Sequence, residues 1–133
     1  MITYLTESDY VTKAEDVINM FSQETILSTS QIRNFLSLNM DIYNDVLLIT
    51  ENKLPDEIIG RINYLKIRIL YQCGRPNGDK VKDFVEKADL KEILEEIVAT
   101  KEVDDYLLFT RYLEALVAYK MFYYPKDNKD SRN

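Results

Sequence analysis

Apolar residues recur along the chain at intervals of three, four and seven, a helical rather than an alternating spacing. The breakers Pro55, Gly60, Gly74, Pro76, Gly78 and Pro125 leave long uninterrupted stretches between them. Ser28-Thr29-Ser30-Gln31 has the form of a capping box, with Ser28 as N-cap and Gln31 at N3, and Leu27 and Ile32 take the two positions of a hydrophobic staple. A helix is therefore predicted from here to about Asn52, with Ile32, Phe35, Leu36, Tyr43, Val46 and Leu47 as its apolar stripe. Pro55 with Asp56 and Glu57 suits a first turn, and Gly74 followed by Pro76 is a stop signal, so the next helix spans about Pro55 to Cys73. Gly60 inside it costs up to ~1 kcal/mol against Ala, which predicts a local weakness or close packing. Further helices are expected over Asn77 to Lys87, over Leu90 to Ala99 after a capping-type pair Asp89 and Glu92, and over Val103 to Tyr124. A first helix is expected over about Lys13 to Gln23. The reading is all-α: one compact bundle of five or six helices over residues 1 to 125, and a polar, disordered tail over 126 to 133.

Length and composition narrow this further. At 133 residues one domain is the expectation, and with three Gly and three Pro the turns needed for many short strands are missing. There is no histidine and one cysteine, which excludes His-based triads, His metal sites, zinc ribbons and an internal disulfide. Cys73 is read as a small core residue. No apolar stretch approaches the ~20 residues that span a bilayer, and Met1-Ile2-Thr3-Tyr4 lacks a signal peptide's basic start, so a cytoplasmic protein without a membrane partner is expected.

A net charge of −6 argues against a generic basic nucleic-acid binder, but its distribution is uneven. Residues 79 to 105 hold ten acids and five bases, whereas Ile58 to Gly78 contains no acid and holds Arg61, Lys66, Arg68 and Arg75. At ~100° per residue, Arg61, Arg68, Gln72 and Arg75 fall within about 60° on one helix, beside the core stripe Ile58, Ile62, Leu65, Ile69 and Cys73. Arginines seven residues apart rise by ~10.5 Å, which suits several phosphates along a backbone better than one compact anion. The competing reading pairs these arginines with the acidic helices of the same chain, at only ~0 to 1 kcal/mol for each exposed pair. Ten tyrosines without tryptophan invite base stacking, but Tyr43, Tyr64, Tyr71, Tyr112 and Tyr119 lie on or beside apolar stripes and are assigned to packing. Glu95-Glu96 and Asp104-Asp105 point about 100° apart on a helix, and neither an EF-hand nor a phosphate-binding Gly-Lys loop is present. No catalytic, metal or cofactor site is predicted. Ala115 and Ala118 would let another helix approach closely, within the chain or from another subunit.

Three segments together carry a family resemblance: Thr29-Ser30-Gln31-Ile32-Arg33-Asn34-Phe35-Leu36, then Tyr64-Leu65-Lys66-Ile67-Arg68 on to Tyr71 and Gly74-Arg75, then Arg111-Tyr112-Leu113-Glu114-Ala115-Leu116-Val117-Ala118-Tyr119. In order and spacing they resemble the small helical subunit of the type III-A CRISPR Csm effector complex over residues 28 to 124, with the first 25 or so residues outside the match. The resemblance implies a non-catalytic, all-helical protein that associates with copies of itself in a short filament and with other Csm subunits. Such a subunit touches the duplex of guide RNA and target RNA while cleavage belongs to other subunits, and the isolated chain could be a homodimer. Carried onto the matching segments, the implied RNA contacts are Arg33, Lys66, Arg68, Arg75 and Arg111, with Lys120 adjoining and Arg61 on the same ridge but outside the pattern. The rival reading is a protein-protein adaptor whose helix faces never meet RNA.

Overall fold

The computed structural model describes residues 2 to 127. Six helices follow one another: α1 Tyr10–Ile18, α2 Thr29–Val46, α3 Asp56–Gly74, α4 Asp79–Lys87, α5 Leu90–Thr100 and α6 Val103–Tyr123. Helix α6 packs against α1, α2 and α5, while α3 packs against α2, α4 and α5, so two groups of helices share one apolar core. Among the described residues the extended pairing is limited to one isolated bridge, Lys53 with Glu102.

The capping box forms as its sequence demands. Gln31 N donates to Ser28 Oγ at 3.1 Å, Ser28 N donates to Gln31 Oε1 at 2.8 Å, and the staple positions Leu27 and Ile32 are both buried. This fixes the start of α2 and hence where Ser30, Gln31, Arg33 and Asn34 emerge. The helix stops at Val46, six residues short of the expected end, because the following backbone finds other partners. Leu54 N donates to Lys101 O at 2.7 Å and Val103 N donates to Asn52 O at 3.0 Å, tying this loop to the α5–α6 turn. Helix α1 begins and ends earlier than expected, since Thr6 and Asp9 exchange backbone-to-side-chain bonds of 2.9 and 3.2 Å just ahead of it.

Asp89 does not cap α5. It sits in the left-handed region at φ 59° without a capping bond, and its carboxylate instead holds Lys13 Nζ at 2.8 Å, linking α1 to the α4–α5 turn. Gly60 is neither crowded nor close to a neighbour, since a Cβ there would meet nothing within 4 Å. The glycine that matters for close approach is Gly78, where a Cβ would fall 2.6 to 2.8 Å from the carbonyl oxygens of Gln72, Cys73 and Arg75. That packing folds the end of α3 back toward α4 and sets the position of Arg75.

The interior polar groups are paired. Tyr106 Oη donates to Asn39 Oδ1 at 2.7 Å, Asn39 Nδ2 donates to Thr110 Oγ1 at 2.9 Å, and Tyr112 Oη donates to Ala88 O at 2.8 Å. Burial pushes both phenols well above their ordinary pKa. Cys73 is half-buried against the core, and burial raises its thiol pKa too, so it is a packing residue. Of the expected polar tail, Lys126 and Asp127 are tied to the body: Gln23 Nε2 donates to Lys126 O, and Asp127 Oδ1 accepts from Thr29 N at 2.8 Å. Residues 128 to 133 lie outside the described residues. Among those described, no helix is long and apolar enough to cross a membrane.

Candidate nucleic-acid interface

The start of α2 runs beside the end of α3, and the crevice between them is a shallow groove of about 290 Å³. Its floor is apolar, formed by Phe35 and Val81; its rim is polar, formed by Ser30, Gln31 and Asn34 from α2 and by Arg68, Gln72 and Arg75 on the other side. Both halves follow from helical arithmetic. The stripes that bury Ile32 and Phe35 on α2, and Ile62, Leu65 and Ile69 on α3, leave the intervening polar positions at the seam.

The seven basic candidates separate into two groups. Among the described residues, Arg33, Arg68 and Arg75 make no ion pair. Arg33 stands exposed on α2 next to Asn34, and Arg75 Nη1 donates to Gln72 Oε1 at 3.3 Å while remaining exposed at the end of α3. Arg68 lies with its guanidinium carbon 5.8 Å from the centroid of the Tyr64 ring, a cation–π arrangement that leaves its N–H groups available.

The other four are engaged. Arg61 bonds the Asp45 carboxylate and donates through Nη2 to Asp41 O at 3.1 Å, which turns it along α2. Lys66 lies 3.4 Å from Glu95, which also takes Lys91 at 3.2 Å. The hydrogen bond from Lys91, then its charge and those of Lys66, hold the Glu95 carboxyl below its usual range. Arg111 reaches Glu7 at 3.7 Å across the exposed surface. Lys120 is a correction to the sequence reading: it is fully buried, donating to Thr29 Oγ1 at 2.7 Å and to Asp127 Oδ1 at 2.9 Å, and offers nothing to a ligand. Burial would raise the Asp127 carboxyl, but the bonds from Thr29 and Lys120 outweigh it and hold the group below the ordinary carboxylate range.

Sequence reasoning misassigned two aromatic residues. Tyr112 is buried, and Tyr43 and Tyr119 pack partly against the core as expected, but Tyr64 and Tyr71 are 60% and 64% exposed. The signal was available: at ~100° per residue they lie roughly 130 to 150° from the centre of the α3 core stripe, on its outer face. Ala115 packs against the core whereas Ala118 is exposed. Among the described residues, no group of acidic or sulfur side chains is arranged to hold a metal ion.

Fold and groove together define a class: a small all-helical domain that presents unpaired guanidinium groups at one helix seam. Comparison with known proteins makes the assignment particular. The family described as "Csm2 Type III-A" matches residues 5–126. A "CRISPR system Cms protein Csm2" from Streptococcus thermophilus is 40% identical over 127 residues, covering 92% of this chain and 98% of that protein. One of the same description from Mycobacterium tuberculosis (strain CDC 1551 / Oshkosh) is 37% identical over 123 residues, covering 91% and 96%. A third, from Enterococcus italicus, is 31% identical over 97 residues, covering 73% and 68%. This chain belongs to the Csm2 family of type III-A CRISPR systems. The match begins at residue 5, so the segment before residue 28, expected to lie outside the resemblance, is part of the family domain. Structurally this is reasonable, because α1 packs directly on α6.

Proposed function

We propose that this chain is a non-catalytic structural subunit of a type III-A CRISPR RNA-guided interference complex, and that Arg33, Arg68 and Arg75 contact RNA phosphates. In this reading it stabilises the duplex of guide RNA and target RNA, joins copies of itself in the small-subunit filament and docks on other Csm subunits. One observation carries the RNA contact. Among the described residues three guanidinium groups, Arg68 and Arg75 at the α2–α3 groove and Arg33 exposed on α2, have no carboxylate partner in an acidic protein that pairs four other candidate cations with its own acids. An unpaired guanidinium fork binds phosphate in bidentate fashion, and Arg68 and Arg75 are spaced by ~10.5 Å along the helix, so they reach separate phosphates. Contacts of this type report backbone shape, and the sequence address comes from guide pairing. Binding by the isolated chain should be weak and salt-sensitive, because few phosphates are neutralised and the protein body is acidic.

The test is replacement of Arg33, Arg68 and Arg75 together by Ala. Affinity for RNAs of unrelated sequence should fall in low salt, the slope of log affinity against log salt should flatten by about 2 to 3, and far-ultraviolet circular dichroism should not change. Unchanged binding in low salt refutes the proposed contact. The adaptor reading has its own support in apolar side chains outside the groove, with Leu48 78% and Phe122 76% exposed. It would replace the RNA reading if the chain, assembled with its partners, crosslinked to protein subunits and to neither RNA strand.

A further inference from the structure

Helix α3 carries an aromatic stripe immediately outside the cationic groove. Tyr64 and Tyr71 lie about 20° apart around the helix and ~10.5 Å apart along it, and Ile67 is exposed on their far side. In order around the helix come Ile67, Tyr71, Tyr64, Arg75, Arg68 and then Gln72 at the groove. Neither phenol hydroxyl makes a hydrogen bond among the described residues, in contrast to Tyr106, Tyr112 and Tyr124, whose hydroxyls are all donated. No acid occurs from Ile58 to Gly78, so the stripe has no negative charge beside it on α3, whose acids Asp56 and Glu57 are confined to the first turn. Folding therefore does not account for either ring.

We infer that Tyr64 and Tyr71 are stacking platforms for unpaired RNA bases, placed so that a strand whose phosphates meet Arg68 and Arg75 lays its bases outward over the two rings. The inference rests on the proposed phosphate contacts and adds a preference for single-stranded over paired nucleotides. Three features favour RNA as the occupant of this face. Cationic side chains alternate with aromatic ones on a single helix face, the combination that binds single strands: charge tracks the backbone and rings take bases. Arg68 already covers one face of Tyr64, so a base on the other face would complete a base–tyrosine–guanidinium sandwich. Finally, ~10.5 Å corresponds to about three nucleotide steps of a stacked strand, which lets both rings act on one short segment. In a duplex the base faces are already covered by their neighbours, and the two tyrosines would gain little.

The full-length chain is tested in low salt against a mixed-sequence single-stranded RNA of about 12 nucleotides carrying 2-aminopurine, and against a duplex long enough that its ends contribute little. The Tyr64→Leu, Tyr71→Leu double variant should lose about tenfold or more in affinity for the single strand, while its duplex affinity stays within about twofold. The double Phe variant keeps the rings and should bind as the unaltered chain does. Binding to the unaltered chain should change the 2-aminopurine emission, and binding to the Leu variant should not. The inference is overturned if the Leu variant binds the single strand as well as the unaltered chain, or if it loses single strand and duplex equally. Retention of the single strand by the Leu variant with the stripe instead crosslinking to a protein subunit would assign this face to a protein partner and likewise overturn it. Failure of the underlying reading looks different: the arginine triple variant would then bind both RNAs unchanged, whatever the tyrosine variants do.

Discussion

Helices α3 and α6 are the two longest in the molecule, at 19 and 21 residues, and both carry tyrosines and basic side chains, yet they use them in opposite ways. In α6 three polar-tipped residues turn inward: Tyr106 and Tyr112 are fully buried and hydrogen-bonded, and Lys120 is enclosed with Thr29 and Asp127, while Arg111 and Tyr123 stay at the surface. In α3 the corresponding types turn outward, with Tyr64, Tyr71 and Arg75 exposed and Arg68 at the rim of a groove. Their surroundings explain this. Helix α6 is covered by α1, α2 and α5, whereas the outer face of α3 meets no other helix. A tyrosine in the centre of a bundle needs a partner for its hydroxyl, and one on an open face is available to bind something else.

The strongest way to break this contrast is to truncate one tyrosine from each helix. Tyr112→Ala should cost about 3 to 5 kcal/mol in chemical denaturation, through a large cavity and an Ala88 carbonyl left without its donor. Tyr71→Ala should stay within about 0.5 kcal/mol of the parent. Similar losses in the two would show that α3 is covered after all.

Next in size is the buried ammonium. Asp127→Ala removes the carboxylate that faces Lys120 and should cost about 2 to 3 kcal/mol, below the full penalty for an orphaned buried charge because Asp127 is partly open to water. The Asp127 carboxyl is held low in the folded chain, so its stabilisation is complete above its unfolded value of about 4 and is lost as pH falls through the folded value. Melting temperature followed across this acid range should therefore fall less steeply in Asp127→Asn. An identical slope would mean that the Lys120 pair contributes nothing.

The basic residues sharpen the contrast on a smaller scale. Arg75→Ala should weaken RNA binding several-fold, whereas Arg61→Ala, whose guanidinium is already committed to Asp45 and Asp41, should leave it nearly unchanged. Equal losses in a low-salt titration would remove the distinction between paired and unpaired arginines. The smallest effect belongs to Arg111→Ala. Its exposed 3.7 Å contact with Glu7 should contribute less than about 0.5 kcal/mol, within reach only of a careful denaturation series.

Much of the fold is legible along the chain because its signals are local. Ser28 and Gln31 lie three residues apart and bond each other, so the start of α2 can be read from four letters. Pro55 and the Gly74–Gly78 turn bracket α3 in the same way. The end of α2 is not legible, since Asn52 and Leu54 pair with residues about 50 positions away. Nor is the role of Asp89, which looks like a cap but is claimed by Lys13, 76 positions distant. The candidate site divides along the same line. That Arg61, Arg68 and Arg75 share a ridge follows from the helical repeat, but which of them stays unpaired depends on whether a carboxylate from α2 stands opposite.

By itself the amino-acid sequence determined that the chain is all-helical, where most helices begin, and that one helix carries a line of arginines with no acid beyond its first turn, since these depend on neighbours within a turn or two. The tertiary structure alone decided that Lys120 is sealed inside against Thr29 and Asp127, and that among the described residues Arg33 joins Arg68 and Arg75 as a cation without an acid. Burial and charge pairing are settled by residues tens of positions apart, and only packing the helices brings those together.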